Sequence, residues 1–515
     1  DNTYGYVGPY SSGVFSGAMA RFDLATFSVD KELDLTLTDT GLKGFMGGFA
    51  GLSYGYLVPY IESVGVYSGK LARFDFATFG VVEMLDLTLI DTALKGFHGG
   101  FAEGAYGYLV PYITSASGAG TYSGKVVRFE LATFTAAGVT VLDLASHDPA
   151  LTGFRGGFTD KVFGYCVPFK NSVYFGKVAR FDLANFSTVG VLDLTSADPS
   201  LVGFIGGFAH DGYGYVVPYT GGSGAWKGKV ARFPYGSFTS ASVQVLDLTL
   251  TDTSLRGFIG GFTDGIYGYL VPHYNGAGRS GAMARFDLAT FGNVEAEDMT
   301  LFDTDLSGFW GGFTDYTYAY VVPHHNNAGT FGKVARFGIL PPDDDETDLV
   351  GDPHCVNLAR EKFEIRAPGE HKLIQIPREP RTKEDLKLRV DTVLGRLEPG
   401  DCAGTFIESL LFSGAWTSPH GVLEILPGSS APNTTMLVNT RPKFQDRTVS
   451  VKYGGVEFRV AKHYEGRYGK QRAYLNVRIA GLKKYKDLGG LLGYDDHGDA
   501  EKPSADCAAA QPPPA

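Results

Sequence analysis

Up to about Leu340 the hydrophobic positions come in short runs of strand length, and a helical 3.6-residue spacing is absent. One stretch shows the pattern in full. GFHGGF (Gly96 to Phe101) is followed by YGYLVPY (Tyr106 to Tyr112), GKVVRFEL (Gly124 to Leu131) and VTVLDL (Val139 to Leu144). Each run is rich in Val, Leu, Phe and Tyr and is bounded by Gly, Asp, Ser or Pro, so each predicts a strand. In YGYLVPY the alternation sets Tyr106, Tyr108, Val110 and Tyr112 on one face, with Gly107 and Leu109 on the other. The Pro of that run (Pro59, Pro111, Pro168, Pro218, Pro272, Pro323) cannot donate to a ladder and marks a strand exit.

The four runs recur. Their (V/A)RF arginine falls at Arg21, Arg73, Arg128, Arg180, Arg232, Arg285 and Arg336, spaced by 51 to 55 residues. Four strands in roughly 50 residues, with no room for a crossover helix, is the size of one propeller blade. The chain opens at DNTYGY without the first run and leaves the repeat after GKVARF (Gly332 to Phe337) without the fourth. Seven copies of the second and third runs predict an all-β, seven-bladed β-propeller over residues 1–340, one strand short in its first and last blades. An upstream segment of the form VLDLT…GFxGGFT is expected to supply both strands. The double glycine Gly99-Gly100 followed by Tyr106 resembles the kelch repeat, without its later Trp. The tandem units also resemble repeat proteins of oomycetes and algae, which implies a secreted or cell-surface protein and carries no activity.

Beyond the repeats, PPDDDETD opens a stretch read as an acidic linker, 341–350. VSVKYGGVEFRVAKHY (Val449 to Tyr464) predicts a hairpin about Gly454-Gly455, and RAYLNVRIAGL (Arg472 to Leu482) a further strand. Residues 351–507 open with Gly351-Asp352-Pro353-His354 and close with Gly490-Leu491-Leu492-Gly493-Tyr494-Asp495-Asp496. Those two motifs resemble a von Willebrand factor type D domain, although Leu492 and Tyr494 stand where that family has Cys and Asn. The resemblance implies a β-rich extracellular domain, with calcium bound through Asp495, Asp496 and Asp499. Residues 508–515 read as a disordered tail.

Charge and cysteine content narrow the function classes. The formal net charge is −11 over 515 residues, with the acidic excess in the repeats, which argues against nucleic acid as a partner. No apolar run reaches the length of a membrane-spanning helix. Of four cysteines, Cys166 replaces a strand Leu and reads as a small core residue. Cys355, Cys402 and Cys507 allow one disulfide and one thiol, and no CxxC zinc motif is present. Asn185 and Asn433 begin glycosylation sequons.

Candidate chemistry lies where the repeats differ from one another. The x of GFxGGF is Met46, His98, Arg155, Ile205, Ile259 and Trp310, a set expected to ring one mouth of the channel. His273 and His324 replace the Tyr of VPY in adjacent units, and His325 lies beside the latter. Ligand binding is therefore expected at His98, Arg155, Trp310, His273, His324 and His325. The recurring Arg and the LDL aspartate (Asp34, Asp86, Asp143, Asp193, Asp247, Asp298) are expected to pair between neighbouring strands, for example Arg73 with Asp86. The basic stretch Arg441 to Lys486 suits a polyanion. Together these features predict an interaction or structural protein that binds protein or glycan partners through propeller loops, with self-association at its open strand edges. The competing expectation is a propeller-type lyase or hydrolase using His98, Arg155 or the His273/His324 pair.

Overall fold

A computed structural model describes residues 3–338 apart from 117–120, 223 and 316–317. Between 347 and 492 it describes the strands and part of their connections, and it does not describe 339–346 or 493–515. The chain is all-β and divides into two compact units. The first comprises Asp1–Asp315 and Ala319–Phe337; the second comprises Gly338–Ala515 with Tyr316–Tyr318.

The first unit is a series of small antiparallel sheets of the kind found in propellers, one per repeat. In the third repeat the strands Phe97–Glu103, Tyr106–Pro111, Lys125–Glu130 and Val139–Asp143 lie side by side in chain order. They are called here the glycine, tyrosine, arginine and aspartate strands. Five sheets have all four. Among the described residues, the first sheet has Tyr4–Val7, Ala18–Asp23 and Ser28–Asp34, and the last has Gly312–Thr314, Tyr318–Val321 and Ala335–Gly338.

The motifs have a common cause within a sheet. The register sets Gly107 opposite Phe129, and the Phe129 ring covers Gly107 where any Cβ would collide. The same glycine-under-phenylalanine contact occurs at Gly55/Phe74, Gly164/Phe181, Gly214/Phe233 and Gly268/Phe286. The YGY and RF signatures are thus two halves of one packing unit.

Between sheets, the glycine strands converge. Gly47, Gly99, Gly156, Gly206, Gly260 and Gly311 all have positive φ. A Cβ on Gly156 would sit 2.8 Å from the Cα of Gly206, and one on Gly206 would sit 2.8 Å from the Cα of Gly260. Each of the first five glycines abuts the next, whereas Gly311 faces open space.

Two polar staples join successive sheets. Arg73 Nη1 donates to the Leu131 carbonyl (2.7 Å), Arg180 to Tyr235 (2.8 Å) and Arg232 to Leu288 (2.8 Å), each one sheet ahead. Arg336 of the last sheet makes the same bond to Leu24 of the first, at 2.8 Å. At the opposite end of the strands, Lys70, Lys125, Lys177 and Lys229 reach back to Asp39, Asp91, Asp148 and Asp198 in the preceding turns.

These staples correct the expected Arg–Asp pairing. The register places Lys70 opposite Asp86 and Arg73 opposite Glu83, and Arg73 bonds Glu83 at 3.0 Å. The LDL aspartates instead cap the 3-10 turn that follows: Asp86 accepts from the Thr88 amide (2.9 Å) and hydroxyl (2.6 Å). An aspartate in that position satisfies backbone donors at the turn's start, the ordinary use of Asp as a cap.

The second unit is one antiparallel sheet in which Leu388–Gly395 pairs with Gly369–Ile376 and with Phe406–Ser413. Alternate residues Val456, Phe458 and Val460, and Leu475, Val477 and Ile479, enter its core. The expected hairpin is present, with Thr448–Tyr453 paired to Val456–Glu465. Thr347–Val350, within the stretch read as a linker, forms a strand paired with His354–Val356 and Arg472–Ala480. Asp495, Asp496, Asp499, Cys402 and Cys507 lie outside the described residues, as do Asn433 and the tail. Cys166 is buried and unbonded.

Candidate functional site at the mouth of the repeat unit

The tyrosine strand ends in proline in the five four-stranded sheets, and in the first and last sheets a proline follows it two residues later; in every repeat one aromatic or histidine residue comes next. Those seven residues are Tyr10, Tyr60, Tyr112, Phe169, Tyr219, His273 and His324. Their rings form an unbroken circuit. Centroid separations run 6.4 Å (Tyr10–Tyr60), 6.3 Å (Tyr60–Tyr112), 6.0 Å (Tyr112–Phe169) and 6.3 Å (Phe169–Tyr219). The circuit continues at 6.0 Å (Tyr219–His273), 5.7 Å (His273–His324) and 5.8 Å (His324–Tyr10). We call this circuit the collar.

A second group of residues stands outside it. The loop after each collar residue folds back through a short bridge, pairing Ser11 with Phe15, Ile61 with Tyr67 and Ile113 with Tyr122. Lys170–Tyr174, Thr220–Trp226 and Tyr274–Arg279 follow the same scheme. The loop residue is aromatic in the first five repeats and Arg279 in the sixth. Phe15, Tyr67, Tyr122, Tyr174 and Trp226 each meet the collar ring of their own repeat, with centroids 5.1 to 6.1 Å apart.

The variable residues of the glycine strands pack against the collar. His98 meets Tyr60 (6.4 Å), Tyr112 (5.9 Å) and, from a sheet four repeats later, Trp310 (6.1 Å). Trp310 also meets His273 (5.1 Å) and His324 (4.5 Å). The Arg155 guanidinium lies between Tyr112 and Phe169, 4.3 Å from each centroid, and donates to the Tyr112 hydroxyl at 2.9 Å. Ile205 and Ile259 are buried in the same cluster. Five of the six residues expected as a site, His98, Arg155, Trp310, His273 and His324, therefore meet at the collar. His325 sits beside His324, 6.4 Å between ring centroids.

Electrostatically the site is one-signed. His98 is 5 % exposed, and burial followed by the nearby Arg155 charge holds its pKa well below the usual histidine value. Burial, then Arg279, lowers His273 to about 3 and His324 to about 4. These imidazoles are neutral at physiological pH. His273 Nδ1 bonds the Phe309 carbonyl at 2.8 Å, so Nδ1 carries the proton and Nε2 accepts from Arg279 Nη1. Burial raises the hydroxyl pKa of Tyr60, and of Tyr219, where both Arg155 and Arg279 oppose the rise. Among the described residues neither Arg155 nor Arg279 forms an ion pair, and no three His, Cys, Asp or Glu side chains are grouped to hold a metal.

Arg279 is the residue sequence reasoning missed. It had a signal: the position two before the Gly that precedes each arginine strand is Phe15, Tyr67, Tyr122, Tyr174 and Trp226, and then Arg279. That break falls in the same unit as the Tyr-to-His change at His273.

No protein-family model matches this chain, and a search of curated proteins finds no match. Among solved structures, it is similar to the hydrazine synthase of Kuenenia stuttgartiensis, with 12% identity and a TM-score of 0.42. The match covers 63% of this chain and 90% of the other.

Proposed function

We propose that the seven sheets are the blades of a seven-bladed β-propeller and that the protein is an interaction module whose collar binds a glycan partner. The observation that carries this reading is the unbroken circuit of seven aromatic rings around a mixed polar and apolar floor. Sugar rings present apolar C–H faces and polar hydroxyls together, and Tyr, Trp and His offer matching flat faces with polar tips. The repeats supply a rigid frame, and the loops that differ between them open at the collar end.

Binding is favoured over catalysis by the state of the titratable groups. An acid-base enzyme needs a group poised near its working pH with a partner of opposite role. Here the three buried histidines are held neutral, and no Asp or Glu acts on His98, His273, His324 or Tyr60. An extracellular or cell-surface location belongs to the same proposal, as do the type D reading of residues 351–507 and calcium at Asp495, Asp496 and Asp499. On that reading calcium raises the melting temperature of the full chain and a chelator reverses the rise; superimposable melts with and without chelator would remove calcium from the proposal.

The direct test is a glycan array probed with the full chain and with Trp310→Ala and Tyr60→Ala variants. Binding that drops at least tenfold in both, with melting temperatures within a few degrees of the parent, supports the collar. Binding that persists in both variants places the partner site elsewhere.

A further inference from the structure

Among the described residues, five of the eight buried side-chain nitrogen or oxygen atoms that lack a hydrogen-bond partner belong to the collar end: His98 Nδ1 and Nε2, Arg155 Nε, His324 Nδ1 and His325 Nδ1. Buried polar groups are ordinarily paired, and leaving one unpaired is costly. A concentration of such atoms at one place marks groups held ready for something that binds there. Their chemistry is also biased. Two guanidiniums, Arg155 and Arg279, share the collar with neutral imidazoles, and among the described residues no carboxylate neutralises either.

The surroundings explain how Arg155 is tolerated without a ligand. Two aromatic faces and one tyrosine hydroxyl hold it, through two cation–π contacts and a hydrogen bond. They do not cancel its charge. Arg279 donates to a neutral histidine and lies 5.6 Å from the Tyr274 centroid, so its charge is likewise uncancelled. On the arginine strands, Arg21, Arg73 and Arg285 each pair with a carboxylate, and Arg180 and Arg232 donate to a carbonyl of the next sheet. Arg155 and Arg279 differ in place: both lie at the collar, where their bonds go to a tyrosine hydroxyl and a neutral imidazole.

Resting on the glycan reading above, we infer that the collar recognises an acidic sugar, a pyranose ring carrying a carboxylate or sulfate. The anion lies against Arg155 and Arg279, and the ring stacks on Trp310 and the collar aromatics. A guanidinium offers several N–H donors in one plane, which suits both carboxylate and sulfate oxygens. His98 and His324 add neutral imidazole nitrogens without adding charge.

The experiment titrates the full chain by calorimetry with oligogalacturonate, with its fully methyl-esterified form, with a sulfated oligosaccharide and with free sulfate. The inference expects the acid form to bind at least tenfold tighter than the ester. It expects Arg155→Met and Arg279→Met each to erase that ratio, with Arg155→Lys restoring part of it. Lys31→Met, on the exposed side of the first sheet, leaves the ratio unchanged. The relative affinity of uronate and sulfated sugar identifies which anion is preferred. Equal binding of acid and ester, insensitive to both arginines, overturns the anion assignment while leaving the collar as a glycan site. Free sulfate binding as tightly as the sugars overturns the sugar part. Absence of all oligosaccharide binding, from protein with parent-like melting, overturns this inference and the glycan reading together.

Discussion

Gly156 shows how a single residue sets the geometry of the mouth. Its φ of 84° is costly for any side chain, and a Cβ there would press on the backbone of Gly206 at 2.8 and 3.0 Å. Neither neighbour can yield without moving a strand, so Gly156→Ala should cost upward of about 2 kcal/mol. Gly104 also has positive φ, but nothing lies within 4 Å of its Cβ position, so Gly104→Ala should cost only about 1 kcal/mol. Denaturant midpoints of the two variants measure the difference, and equal midpoints would remove the close approach as the reason for glycine. The histidines give a second residue-scale expectation. Their folded pKa values are depressed, His273 to about 3 and His324 to about 4, so the unfolded chain binds protons that the folded chain refuses. Stability therefore falls as pH drops from about 6.5 towards 4, before the aspartates of the lysine staples protonate. Around His273 stand Arg279, His324, His325 and the Tyr219 ring, and around His324 stand Arg279, His325, His273 and the Tyr10 ring. The Arg279 charge raises the cost of protonating either. Replacing both with the tyrosine found in most repeats, His273→Tyr/His324→Tyr, should flatten the melting-temperature profile between pH 6.5 and 4. A slope equal to the parent's would assign acid lability elsewhere. These positions were legible in the sequence because they interrupt a repeat. His98, by contrast, could be flagged as variable, but its contact with Trp310 four sheets away required the folded circuit.

At the level of the strand the sequence conveyed type and order better than partnership. Four apolar runs per repeat became four strands in chain order, because each run alternates and ends at Gly, Asp or Pro. The salt-bridge expectation failed for a physical reason. Two conspicuous opposite charges in a repeat suggest a pair, yet antiparallel register puts Arg73 three residues away from the partner of Asp86. The aspartate is consumed by its own turn, and the arginine by the next sheet. That second role spans more than 50 residues and leaves no local trace. Arg232 shows the design most fully. Nη1 donates to Leu288 O, Nε donates to Gln244 Oε1 at 2.7 Å, and the guanidinium lies 4.2 Å from the Phe291 centroid and 4.5 Å from that of Tyr213. Arg232→Met keeps the stem but loses two charge-assisted hydrogen bonds and two cation–π contacts, a loss of roughly 2–4 kcal/mol. Chemical denaturation should register it. An effect below about 1 kcal/mol would mean that the aromatic packing, not the guanidinium, joins the fifth and sixth sheets. The turns after the aspartate strands carry another repeated feature: Leu37, Leu89, Leu250 and Leu301 project into solvent, while Ser146 and Ser196 take their place in the third and fourth repeats.

For the whole molecule, the decisive relation is between the first sheet and the last. Arg336 reaches Leu24, Tyr320 packs on Phe22 and Phe27, and His324 packs on Tyr10, so the two sheets adjoin as any successive pair does. What differs is their strand count. Among the described residues, the first sheet has no glycine strand beside Tyr4–Val7, the last has no aspartate strand beside Ala335–Gly338, and Gly311 has no neighbour where the other glycines have one. An unpaired strand edge presents a row of free N–H and C=O groups and pairs readily with another strand. The chain's own repeat specifies what fits. Residues 189–210 contain an aspartate strand, Val189–Asp193, and a glycine strand, Phe204–His210, in the order needed to complete the last sheet and then the first. A synthetic peptide copying residues 189–210 should therefore bind the full chain with one-to-one stoichiometry and raise its melting temperature. At a hundredfold excess over its dissociation constant, the gain is about 2.7 kcal/mol. Because the peptide occupies the edges, it should also lower self-association measured by sedimentation. A version with Gly206→Val, which cannot approach Gly260 or Gly311, should do neither. If the parent peptide leaves melting and sedimentation unchanged, or the valine version performs equally well, the two edges are not a strand-accepting site, and the first and last sheets are joined by contacts such as the Arg336 staple and the His324–Tyr10 pair without added strands.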